Sequence, residues 1–230
     1  MKQSTRERIL DAALSVFADR GYHGATVDDI VRASGTSKGA VYHHFSSKEA
    51  VFLALVDDFA ERLAVAVATA IAARHGALGK VEAALTAALA TFGDNERLAR
   101  LILLEAAGLG RLWETKRREV HDRFAGLIRG YLDEAASEGS IPPLDTRVAT
   151  LAWLGAVNEV VIDWLHRRDR DPAPAVPALT RMLLRSIGAT AGDGDRTRAP
   201  AGRRAPTGRR APAGPRAPAG VKPPGGRTRG

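Results

Sequence analysis

Residues Thr36 to Phe45 read TSKGAVYHHF. Ser37, Lys38, Tyr42, His43 and His44 place hydroxyl, ammonium, phenol and imidazole groups on one short segment. If the segment is helical, Val41 and Phe45, four apart, form an apolar anchor on its other side. A helix of this kind offers hydrogen bonds and positive charge to phosphates or base edges. Gly39 stands in its first turn, where glycine costs about 1 kcal/mol against alanine. Two things would justify it: close approach of the backbone to a ligand surface, with Ala40 equally small, or tight packing on another helix. Zinc chemistry fits poorly. His43 and His44 project about 100° apart, no third ligand is evident, and the chain has no cysteine. HExxH, GxSxG and P-loop patterns are missing too, so no catalytic residue, metal or cofactor is expected.

The elements that must position these groups are marked by their caps. Ser4-x-x-Glu7, Thr26-x-x-Asp29 and Ser46-x-x-Glu49 have capping-box spacing, each before an apolar-periodic run. The first run carries Ile9, Ala13, Val16 and Phe17 and ends at Gly21. The second, over 27–34, carries Ile30 and Ala33 and ends at Gly35. The third opens a long helix through Val51, Leu55 and Phe59. Gly35 lies where a tight turn between helices needs φ > 0. Two short helices joined by such a turn predict a helix-turn-helix, with 37–44 as the helix that enters a major groove.

The segment ILDAALSVFADRGYHGATVDDIVRASGTSKGAVYHHFSSKEAVFLAL resembles the DNA-binding domain of the TetR/AcrR family of transcriptional repressors. Phe17, Gly21, Thr26, the Ile30–Ala33–Gly35 series and the Tyr42–Phe45–Lys48–Glu49 cluster carry the resemblance. It implies a homodimer with an N-terminal reader and a larger C-terminal domain for effector binding and dimerisation. It also implies phosphate contacts from Thr26, Tyr42 and Lys48. Thr26 could be a helix cap alone, and Tyr42 could be core. Lys48 in a first helical turn opposes the helix dipole, which a nearby phosphate would offset. Thr36, Ser37, Lys38 and His43 are the candidates for base edges or the groove, Lys38 toward guanine or only the backbone. His44 is either a phosphate contact or solvated.

The remainder predicts an all-α chain with three regions: a helix-turn-helix domain over 1–50, a helical effector-binding and dimerisation domain over 51–190, and a disordered tail over 191–230. Helices are expected near 77–92, 95–109, 111–138, 145–169 and 173–190. Hydrophobic residues make up 45% of the 230, enough for a sizeable core. The tail repeats RAPAGR, RAPTGR, RAPAGP and RAPAGV, without aromatics, a composition that cannot bury a core. From Asp193 onward stand ten of the 34 basic and two of the 26 acidic residues, so the tail holds the whole formal charge of +8. It should bind polyanions weakly and without sequence preference, or serve only as a solvated extension.

In the C-terminal region, Leu151–Leu165 is apolar nearly all round. Leu151, Gly155 and Ile162 make one face; Leu154, Val157, Val161 and Trp164 make another. Such a helix needs two neighbours, its own core and either a second subunit or a further helix of a monomeric bundle. Glu105, Trp113, His121 and Asn158 are candidate effector contacts. On an unbroken helix Glu105 shares the Leu98–Leu101–Ile102–Leu109 face and would need His121, an arginine or a ligand as partner. An internal structural pair or an exposed position is the plainer alternative. The expected partners are a palindromic duplex operator, a second copy and an unidentified small molecule. No secretory signal stands at the start, and Leu63–Ala73 is too short to span a bilayer, so a cytoplasmic protein is expected. The rival functions are a tail-driven nucleic-acid scaffold and a helical enzyme on a regulator-like fold.

Overall fold

The computed structural model describes residues 3–106, 109–167 and 172–189. These residues are helical, with no strand among them. In order they form α1 (Thr5–Gly24), α2 (Val27–Ser34), α3 (Lys38–His44), α4 (Lys48–Ala72) and α5 (Ala77–Asp94). Then come α6 (Glu96–Arg100), which runs into a π-helical turn over Leu101–Glu105, α7 (Arg111–Ser137), α8 (Thr146–Arg167), a 3₁₀ turn (Ala173–Ala175) and α9 (Val176–Ser186). The expected tail, 191–230, lies outside the described residues.

Local chemistry sets the reader's boundaries. Ser4 and Thr26 form complete capping boxes with Glu7 and Asp29. The third expected box is corrected: Ser47, not Ser46, caps α4, accepting from the Ala50 N–H at 3.1 Å. Glu49 is therefore the second residue of the helix and the third position falls to Ala50, whose methyl group cannot return the bond. Gly21, at φ 70°, interrupts α1 near its end, and Gly35, at φ 61°, makes the left-handed turn from α2 toward α3.

Two apolar clusters organise the chain. The first gathers Ile9, Phe17, Ile30, Val41, Phe45, Val51 and Phe52, and extends to Leu98, Leu101, Ala106 and Trp113. Phe17 meets Phe52 edge-on at 6.2 Å between ring centroids, and Phe52 meets Trp113 at 5.4 Å. The reader thus shares its core with α6 and α7, and the division expected at residue 50 falls inside α4. The second cluster joins α5, α7, α8 and α9 through Leu89, Leu132, Trp153, Val161, Leu165 and Leu183. Trp153 Nε1 donates to Ser186 Oγ at 3.1 Å, which fixes α9 against α8. In the most apolar 18-residue window of α8 the mean hydropathy is 1.4, yet only 22% of that window is buried. Length and composition would let α8 cross a bilayer, but Glu159 and Asp163 lie within it, and charges at bilayer depth are costly.

Candidate nucleic-acid interface

The short helix α3 presents its donor groups as one surface. Val41 is buried and Phe45 nearly so, and both belong to the first core cluster. On the other side Lys38, Gly39, Tyr42, His43 and His44 are exposed. Tyr42 is 48% exposed, so it is no part of the core. The rings of His43 and His44 touch edge to face, 5.2 Å between centroids. Ser37 caps the helix, accepting from the Ala40 N–H at 3.1 Å. Thr36 Oγ1 lies 2.7 Å from Ser34 Oγ, inside the turn. The hydroxyls of Thr36 and Ser37 thus already have local partners.

A Cβ added at Gly39 would meet only Ser37 Oγ, at 3.9 Å. No neighbouring helix stands there, so packing does not explain the glycine. The space beside it opens on the same exposed surface as Lys38 and Tyr42.

The turn is held by a residue that the sequence reading missed. Arg8 of α1 donates to the carbonyls of Ser34 and Gly35 at 2.8 and 3.3 Å, satisfying acceptors at the end of α2. At the other end of α2, Asp29 is nearly buried and receives Thr26 N–H, Thr26 Oγ1–H, Arg20 and Arg32. The Thr26 hydroxyl above all, then its backbone N–H and the two guanidinium groups, draws the Asp29 carboxyl below its ordinary value against the opposing effect of burial.

Two lysines behave unlike each other. Lys38 Nζ pairs with Asp28 across the turn at 2.8 Å, and this hydrogen bond raises its pKa. Lys48 turns inward. Its Nζ donates to the carbonyls of Tyr22 and Ala25 at 2.7 and 2.9 Å and lies 4.4 Å from the centroid of the Tyr22 ring. Burial lowers its pKa. Within the chain the cation is offset by carbonyls at the end of α1, which carry the opposite partial charge to the N-terminus of α4.

The four effector candidates do not come together as expected. Glu105 is exposed because the π-helical turn slips the register by one, and Ala106 takes the fully buried place instead. Trp113 is core, packed on Phe52. His121 is exposed, with Nδ1 3.4 Å from Asp122, and no hydrogen bond or ion pair joins it to Glu105. Asn158 is exposed on the Leu151–Gly155 side of α8, since Trp153, Val161 and Leu165 take the inner side. On α8 and α9 stand two buried hydroxyls without a protein partner, Thr150 Oγ1 and Thr180 Oγ1. Among the described residues no group of three metal-ligating side chains occurs.

A buried-backed short helix, entered through a left-handed glycine and offering donors on its outer face, defines a helix-turn-helix DNA-binding protein. Residues 9–55 match the family model described as bacterial regulatory proteins, tetR family. The chain is a TetR family transcriptional regulator. It is 47% identical over 64 residues to the transcriptional repressor AcnR of Corynebacterium efficiens, a match covering 28% of this chain and 34% of that one. Its fold is similar to that of the fatty acid degradation regulator FadR from Bacillus halodurans, with a TM-score of 0.72 and 27% identity over 77% of this chain and 96% of that one. FadR from Bacillus subtilis, solved in complex with stearoyl-CoA, has a TM-score of 0.69 at 24% identity, covering 78% and 98%.

Proposed function

We propose that the chain is a dimeric repressor that reads a two-fold symmetric operator with α3 and leaves it when a small molecule binds the helical region beyond α4. Residues 1–50 read DNA, 51–190 bind effector and partner, and the site of action is the cytoplasm. The carrying observation is the two-sidedness of α3: Val41 and Phe45 bury one side while Lys38, Tyr42, His43 and His44 stand exposed around Gly39. Tyr42 and Thr26 are assigned to phosphates, and Lys38 and His43 to base edges. His44 is assigned to the flanking backbone. Lys48 holds the ends of α1 and α4 together and so sets the angle of the reader.

The second copy is assigned to the outer side of α8. Leu151 is 42% exposed, a Cβ at Gly155 would meet nothing within 4 Å, and Val148 on α8 and Met182 on α9 are exposed as well. An apolar helix left open on one side is what a two-fold interface covers. For the effector, the stearoyl-CoA complex of the B. subtilis relative makes long-chain acyl-CoA the first class to test.

Selection from random duplex oligonucleotides followed by footprinting tests the reading. A discrete palindrome is expected, with protection lost on adding acyl-CoA or another effector. Uniform coating of DNA would favour the tail-driven scaffold, and no protection at all would remove the DNA-binding assignment.

A further inference from the structure

We propose that Asp28 is a specificity-determining residue: its carboxylate holds Lys38 away from phosphates, so that the reader gains less from DNA of arbitrary sequence. This rests on the DNA-binding reading above. Asp28 sits in the first turn of α2, two residues after Thr26, at the end of the helix assigned to phosphate contact. Its carboxylate reaches the Lys38 ammonium at 2.8 Å, and both side chains are solvent-exposed, at 63% and 57%. No core contact requires an acid there. Asp29, beside it, already fills the capping role, and Asp28 receives none of the bonds that hold Thr26, Arg20 and Arg32.

The pair changes what Lys38 can contribute. While paired, it presents nearly no net charge to a polyanion. Releasing Lys38 to a phosphate leaves the Asp28 carboxylate facing the phosphate backbone, where like charge repels. That penalty applies to any sequence. It is offset only where a base edge supplies Lys38 with directed acceptors, such as guanine O6 and N7. An exposed pair is worth little, which keeps the restraint weak enough to be broken at the correct site.

The test measures binding of the full chain to operator and to unrelated duplex DNA across a salt series, for wild type, Asp28→Asn, Lys38→Met and the double variant. Asp28→Asn should tighten unrelated binding about two- to five-fold, the range an exposed pair can supply. It should also steepen the salt dependence of unrelated binding by about one released counterion and lower the ratio of operator to unrelated affinity. In the Lys38→Met background the same substitution should do neither. Asp28→Glu should behave as wild type. An equal gain from Asp28→Asn with and without Lys38 would show a general charge effect and overturn the restraint. Unchanged unrelated affinity in the single variant would overturn it as well. Wild-type protein without any preferred sequence would instead sink the repressor reading, and the unrelated-DNA titrations would still decide the role of Asp28.

Discussion

Replacing Gly39 separates folding from DNA recognition. A Cβ there meets only the Ser37 hydroxyl at 3.9 Å, an ordinary contact, and Gly39 is not among the glycines with positive φ. Alanine therefore introduces no clash within the chain, and the Cβ of a leucine starts from the same open position. Either should raise helix propensity; the interior value is about 1 kcal/mol, and about half of that is reasonable in a first turn. For a folded region of this size that is a gain of about 1–2 °C in melting temperature. DNA binding should move the other way. A leucine side chain at Gly39 occupies the space between α3 and the groove wall, and operator affinity should fall at least ten-fold, about 1.4 kcal/mol. Alanine should lose less, giving a graded series. Thermal melting followed by circular dichroism reads the first quantity, and fluorescence anisotropy with labelled operator reads the second. If Gly39→Leu binds operator like wild type, close approach is not the reason for the glycine. If it unfolds the domain, the open space found beside Gly39 is not open.

Lys48→Met removes two charge-assisted bonds to the carbonyls of Tyr22 and Ala25 and should cost about 1–2 kcal/mol, allowing for partial solvent access, seen as a lower denaturant midpoint. Leu151→Asp should abolish the dimer in sedimentation while helicity persists, because Leu151 lies outside the monomer core; Val157, packed against the second cluster, is a poorer choice since its replacement harms the fold itself. Thr150→Val and Thr180→Val each remove a buried hydroxyl without a protein partner and should raise the melting temperature by about 2–4 °C; a fall would reveal a hydrogen bond to bound water. Asp29 titrates below the ordinary aspartate value of 3.8, so its stabilising effect is complete above that range and is lost as pH falls through the lowered value; acid unfolding of Asp29→Asn should show a flatter limb there.

What could be read from the sequence was whatever local chemistry determines. Thr26 and Asp29 are three residues apart, and Gly35 follows an apolar run, so cap and turn are both visible within one window. The long helices followed their 3.6 period, and α7 and α8 fell within a few residues of expectation. Where the period itself changes, reading failed. Glu105 shares a face with Leu98 and Leu101 only in an unbroken α-helix, and the π-helical turn over Leu101–Glu105 moves it to the surface. Ser46 has an acid three residues on, yet the helix begins one residue later, with the Ser47 hydroxyl accepting from the Ala50 N–H.

Charges were countable but their partners were not. Lys48 looked like a cation placed against a helix dipole, and its real acceptors lie 26 and 23 residues upstream. Arg8 gave no periodic signal for carbonyls 26 and 27 residues further on. Lys38 counts as one positive charge in the sequence, yet with Asp28 at 2.8 Å it presents close to none until that pair opens. The charge that a reader shows to DNA therefore depends on contacts made across its turn. The outer face of α3 holds one lysine, and this one is paired with an exposed carboxylate, so opening the pair is a small cost set against the contacts that would replace it.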